Sequence, residues 1–171
     1  PADAARRVTE LIRTHAGDPL ITVQPAPHSP HGASPAMIRA GWEVAEAADT
    51  RFHIHVAEGQ YEGQRTQHEH GATPIRFLDR LGVLGPRMIG VHCVWLDDEE
   101  LGLMGERGVG LAYCPSSNMV LGDGITRITE LQTLGVRIGL GTDGGCTNNR
   151  LSVFEEMRMA ASRRAFVAAA A

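Results

Sequence analysis

The residues able to do chemistry recur at comparable places along the chain. His53 and His55 stand two apart, and Glu58 follows three residues after His55. His92 closes the run Gly90-Val91-His92, and Asp143 sits within Gly139-Leu140-Gly141-Thr142-Asp143-Gly144-Gly145. His28 follows Pro27, and Cys114-Pro115-Ser116-Ser117-Asn118 adds hydroxyl and amide groups. Imidazole and carboxylate groups together serve two kinds of chemistry. They ligate divalent metals, and they move protons near neutral pH. Residues two apart on a strand share a face, so His53 and His55 point the same way. Burying both needs partners, and metal ligation and hydrogen bonding each answer that need. Simpler roles stay open for the others: a satisfied core histidine at His92, a turn aspartate at Asp143, loop positions at His28 and Glu58. His68 and His70, two apart in a polar helical stretch, point to different faces and read as solvated.

The elements that must position these groups alternate. Strands are expected at Ile21–Gln24, Phe52–Ala57, Met88–Val94, Val109–Tyr113 and Arg137–Gly141. Helices are expected at Ala2–His15, from Pro35 to Ala48 behind a Ser34 cap, in the polar stretch after Glu58, and from Thr73-Pro74 to Leu81. Further helices begin at Asp97, whose acidic start suits the helix dipole, and run over Ile125–Leu134 and Leu151–Ala165. Five strand–helix units give a parallel α/β sheet. A complete (β/α)8 barrel takes about 250 residues, and five of its eight units about 160. The 171 residues fit the second figure. A doubly wound sheet would carry a glycine-rich phosphate loop after a strand, and none is present. In the barrel reading the polar groups all fall at the carboxyl ends of strands, where barrel enzymes keep their chemistry.

Composition excludes other classes. Hydrophobic residues make up 43% and charged residues 21%, as in ordinary globular domains. The net charge is −4 and no basic cluster is present, which argues against nucleic acid or an anionic membrane as partner. No apolar run reaches the ~18 residues of a membrane span, and no signal peptide is seen. All 16 basic residues are arginine, so lysine chemistry is excluded. Cys93, Cys114 and Cys146 are widely spaced and read as reduced thiols filling small buried spaces, which fits a cytoplasmic setting.

Several of these stretches together resemble the amidohydrolase superfamily. They are His53-Ile54-His55-Val56-Ala57-Glu58, Gly90-Val91-His92-Cys93-Val94-Trp95-Leu96-Asp97-Asp98, Cys114-Pro115-Ser116-Ser117-Asn118-Met119 and Gly139-Leu140-Gly141-Thr142-Asp143-Gly144, the last running on to Asn148-Asn149 and Phe154-Glu155-Glu156-Met157-Arg158. The resemblance is to the aminohydrolase branch: S-adenosylhomocysteine/methylthioadenosine deaminases, guanine deaminase and s-triazine hydrolases. It covers nearly the whole chain and places it as strands four to eight of a metal-dependent TIM barrel, one partial domain over residues 1–171.

That resemblance implies one divalent metal, zinc before iron, with His55 and Asp143 among its ligands. It implies Glu58 as general acid and His92 as the group touching hydrolytic water or substrate. His28 and, more weakly, Thr147 are implied as substrate contacts. The implied reaction is hydrolytic deamination of an amino-substituted heterocycle of purine, adenosyl, pterin or triazine type, through attack by metal-held hydroxide. A homodimer and a small-molecule partner go with it. The family's first-strand HxH pair is missing here, because His53-Ile54-His55 lies on the HxxE strand. The chain therefore reads as the second part of a larger enzyme. Two alternatives stand beside the deaminase. Leu121-Gly122-Asp123-Gly124-Ile125 resembles formimidoylglutamate deiminases, and the missing ligands fit a non-catalytic half-barrel.

Overall fold

Short runs of apolar and β-branched residues form the strands β1 (Phe52–Val56), β2 (Met88–His92), β3 (Gly110–Tyr113) and β4 (Arg137–Leu140). The computed structural model describes the backbone of residues 1–170 and the side chains of residues 1–162. The strands make one parallel sheet in the order β1-β2-β3-β4. Phe52 pairs with Met88, Val56 with His92, and Gly110 with Arg137. Each connection moves the chain to the next neighbour, which is how a barrel wall is wound.

The helices are α1 (Ala2–Thr14), α2 (Pro35–Ala47), α3 (Gln60–His70), α4 (Pro74–Arg80), α5 (Asp98–Glu106), α6 (Pro115–Leu121), α7 (Ile128–Thr133) and α8 (Val153–Ala170). Ser34 caps α2 by accepting from the Met37 N–H, with Pro35 next in line. Asp97 and Glu100 form a capping box at α5. Phe52, Ile54, Val56, Met88, Leu111 and Tyr113 turn one face of the sheet to the helices and are buried there. Ile38, Trp42 and Ala45 of α2 meet that face, and the Trp42 ring lies edge-on to Phe52 at 5.6 Å. Each such large side chain contributes about 1.5–3 kcal/mol by leaving water. The other face carries His53, His55, Ile89 and Val91, all only partly buried.

The sheet has four strands among the described residues, and Ile21–Gln24 is not one of them. The chain that lies along β1 is the segment just after it. His53 N–H donates to the Pro25 carbonyl at 3.1 Å, and His55 N–H to the His28 carbonyl at 3.0 Å. Pro25 and Pro27 have no N–H to return, so a ladder cannot form. A second difference is α6, a helix between β3 and the expected Ile125–Leu134 helix, where no element was expected. Pro115 suits the first helical turn, and Gly122 in a left-handed conformation ends it. His68 is exposed, whereas His70 is only partly so, its ring stacked on Phe77 at 4.3 Å. Cys93 and Cys114 fill buried space, whereas Cys146 is exposed.

Candidate metal centre

His55 leaves β1 on the partly buried face, and its ring nitrogen Nδ1 lies 3.0 Å from the His28 carbonyl. A carbonyl only accepts, so Nδ1 carries the proton and Nε2 carries a lone pair. That Nε2 lies 3.5 Å from Asp143 Oδ1. The His28 ring stacks over His55 at 5.2 Å, and Ser29 Oγ holds His28 Nδ1 at 2.8 Å.

His92 ends β2. Its register partner Val56 faces the helices, so regular alternation would aim His92 there too. Instead the backbone turns left-handed at His92 (φ 72°) and Cys93 (φ 49°). This brings the His92 ring to 5.4 Å from that of His55, which lies on the opposite face. Ala57 (φ 52°) and Asp143 (φ 57°) are also left-handed non-glycine residues at strand ends. Such conformations cost about 1–3 kcal/mol each and gather at functional sites. His92 is fully buried; its Nδ1 is 2.8 Å from Asn118 Oδ1, and its Nε2 has no hydrogen-bond partner among the described residues. Nε2 lies 3.5 Å from Glu58 Oε1 and 4.0 Å from Asp143 Oδ2.

Asp143 sits past the end of β4, and the loop around it is tied down from three sides. Ser117 and Thr147 hydroxyls both donate to its Oδ2, at 2.6 and 2.8 Å. Asn148 donates to the Thr142 carbonyl and to Glu156, and Glu156 accepts from the Ser116 N–H of α6. Burial pushes the Asp143 carboxyl up, but the Ser117 and Thr147 hydroxyls, with the charge of His92 and the Gly144 N–H, outweigh it. The carboxyl is held below its ordinary range.

One donor atom each from His55, His92 and Asp143 lies within 4.8 Å of the others. An imidazole lone pair, an orphaned buried nitrogen and a carboxylate oxygen make a donor set that suits a divalent cation. The structure thus brings His28, His55, Glu58, His92, Asp143 and Thr147 to one place. Thr147 reaches it through Asp143, where its hydroxyl is engaged. His53 stays apart: its Nε2 pairs with Gln24, and burial followed by the His55 charge pushes its pKa down.

Three residues escaped the sequence reading. Glu62, almost fully buried, accepts from the Glu58 N–H at 2.9 Å. Burial pushes its carboxyl up to about 7. His31 faces Glu62 at 4.0 Å and packs edge-on to His28. Asp123 has a buried carboxylate oxygen without a hydrogen-bond partner among the described residues, and burial first, then the Glu58 charge, push its pKa up. A glutamate four residues after Glu58 on a polar helix was the one visible signal for Glu62.

Comparisons with known proteins agree on one lineage. The amidohydrolase family profile matches residues 2–170. The 5'-deoxyadenosine deaminase of Methanothermobacter thermautotrophicus is 42% identical over 156 residues, covering 91% of this chain and 36% of that protein. An adenosine deaminase from Xanthomonas campestris, solved with bound zinc, superposes with a TM-score of 0.91 at 36% identity, over 95% of this chain and 37% of that one. A variant of atrazine chlorohydrolase from Arthrobacter aurescens, complexed with zinc and atraton, gives 0.81 at 25% identity, over 86% and 33%. The chain spans about a third of the length of each of these relatives.

Proposed function

This chain belongs to the amidohydrolase family, and from that premise we propose that it forms the catalytic part of a metal-dependent hydrolase that deaminates an amino-substituted heterocycle. An adenosyl-type substrate is favoured, because the 5'-deoxyadenosine deaminase and the adenosine deaminase are more similar in sequence than the triazine enzyme. The observation that carries the reading is the orphaned Nε2 of His92, turned toward Glu58 and Asp143 beside the lone pair of His55.

His55 and Asp143 would hold the metal, with His92 beside them. When bound, such an ion lowers the pKa of a water from 15.7 to about 7 and so makes hydroxide available at neutral pH. Asp143, kept ionised by Ser117 and Thr147, accepts a proton from the water at its free oxygen. Glu58, entering as the acid, gives its proton to a ring nitrogen and recovers one from the attacking hydroxyl, while the proton held by Asp143 passes to the leaving amine. His92 Nε2 receives and steadies the proton between water and Glu58. The carbon–nitrogen bond breaks, ammonia leaves, and the water oxygen ends as the ring carbonyl. His28, stacked on His55, offers a flat surface and a ring nitrogen to the substrate. Zinc before iron, a dimer and a cytoplasmic setting go with this reading as expectations from the family.

The test is ammonia release by the zinc-loaded protein from 5'-deoxyadenosine, methylthioadenosine, guanine and an aminated triazine. We expect release from the adenosyl compounds. Zinc bound with no release from any of the four would favour the non-catalytic half-barrel, and release from the triazine alone would overturn the substrate class.

A further inference from the structure

We propose that Asn118 and Thr126 are positioning residues that lock His92 in its Nδ1–H tautomer and in its left-handed backbone conformation. Three hydrogen bonds form a closed circuit around His92. The Thr126 hydroxyl lies 2.8 Å from the His92 carbonyl. That carbonyl only accepts, so the single hydroxyl proton of Thr126 is spent there. Asn118 Nδ2 lies 3.3 Å from Thr126 Oγ1, which is left as an acceptor. The amide must therefore present its N–H to Thr126, which fixes its oxygen toward His92. Asn118 Oδ1 lies 2.8 Å from His92 Nδ1 and can only accept. Nδ1 carries a proton, and in the neutral ring the lone pair is then at Nε2.

The circuit begins and ends on one residue. It grips the ring of His92 through Asn118 and its carbonyl through Thr126. Asn118 is wholly buried and Thr126 nearly so, so neither can exchange its partner for bulk water. The grip on the carbonyl also explains how a non-glycine residue stays at φ 72°. The chemical consequence rests on the hydrolase reading above. With Nδ1 committed to Asn118, proton exchange between His92 and water or Glu58 runs through Nε2 alone.

The test is nitrogen-15 NMR of histidine-labelled, metal-free chain, at a pH well above the ordinary imidazole value of about 6.5. His92 should show a protonated Nδ1 and a bare Nε2. Asn118→Ala should lower the ratio of Nδ1–H to Nε2–H by about tenfold, the equivalent of one ordinary hydrogen bond. Thr126→Val should lower it less, and Asn118→Asp, which keeps the acceptor, should preserve it. Circular dichroism and the thermal midpoint report folding separately. Where Asn118→Ala does not fold, the wild-type spectrum with Thr126→Val and Asn118→Asp decides. A wild-type His92 protonated at Nε2, or a ratio unmoved in folded Asn118→Ala and Thr126→Val, would overturn the proposal. No substrate or metal enters this experiment, so failure of the deaminase reading would leave its outcome intact.

Discussion

Glu58 and Glu62 are two carboxylates four residues apart in opposite surroundings. Glu58 faces His92 across 3.5 Å and is only partly buried. Glu58→Gln should keep metal binding and lose about 10²–10⁴-fold in turnover, the range of a lost proton transfer. Metal content and ammonia release measured on one sample check this, and unchanged turnover would remove Glu58 from the mechanism. Glu62 is buried behind it, holding the Glu58 amide. Burial raises its pKa in the folded chain to about 7, above the ordinary 4.5, so the folded chain binds that proton more tightly than the unfolded chain does. Stability from this group is fully present below pH 4.5 and is lost as the pH rises through about 7. Glu62→Gln keeps an acceptor and cannot ionise. Its stability relative to wild type should therefore improve between about pH 5 and pH 8, by at most about 3 kcal/mol. Denaturant titrations at the two pH values measure it, and a constant difference would mean that Glu62 has an ordinary pKa.

The elements show why some of the site was legible and some was not. Strands β1 to β4 announced themselves as apolar runs, and the polar groups at their ends fell where barrel chemistry falls. The first expected strand did not form, because its neighbours Pro25 and Pro27 cannot donate to a ladder. α6 carried no helical pattern to announce it, because Ser116, Ser117 and Asn118 have low helix propensity, although Pro115 before them starts a helix well. His31 and Glu62 were invisible as partners, since their contact joins the loop before α2 to α3 and no local pattern encodes it. The same loop is packed tightly around Gly32. A Cβ there would stand 2.6 Å from His28 Nδ1 and 2.8 Å from Ser29 Oγ. Gly32→Ala should therefore push His28 off His55 and cost about 1–3 kcal/mol by overpacking. Thermal unfolding and the His28 ring signals in NMR report the two effects, and a variant as stable as wild type with an unmoved ring would contradict the packing.

As a whole molecule, the chain is an open arc of barrel wall. No described helix is long and apolar enough to cross a membrane. The sheet face bearing His53, Ile89, Gly110, Ala112, Arg137 and Gly139 lines a cavity of about 430 Å³, away from His92 and Asp143. The outer side of β1 is engaged by the Pro25 and His28 carbonyls, whereas β4 pairs only with β3 among the described strands. Hydrogen exchange should therefore be slowest in β2 and β3 and fastest in β4, whose outward amides are free to open. Equal protection of β2 and β4 would mean that a second copy or another segment covers that edge. The proposed cation site, built from His55, His92 and Asp143, lies wholly within this arc. Calorimetric titration of zinc into the metal-free chain tests it most directly. About one zinc per chain is expected, with affinity falling at least tenfold in both His55→Ala and Asp143→Asn. No saturable binding, or the same affinity in both variants, would contradict it.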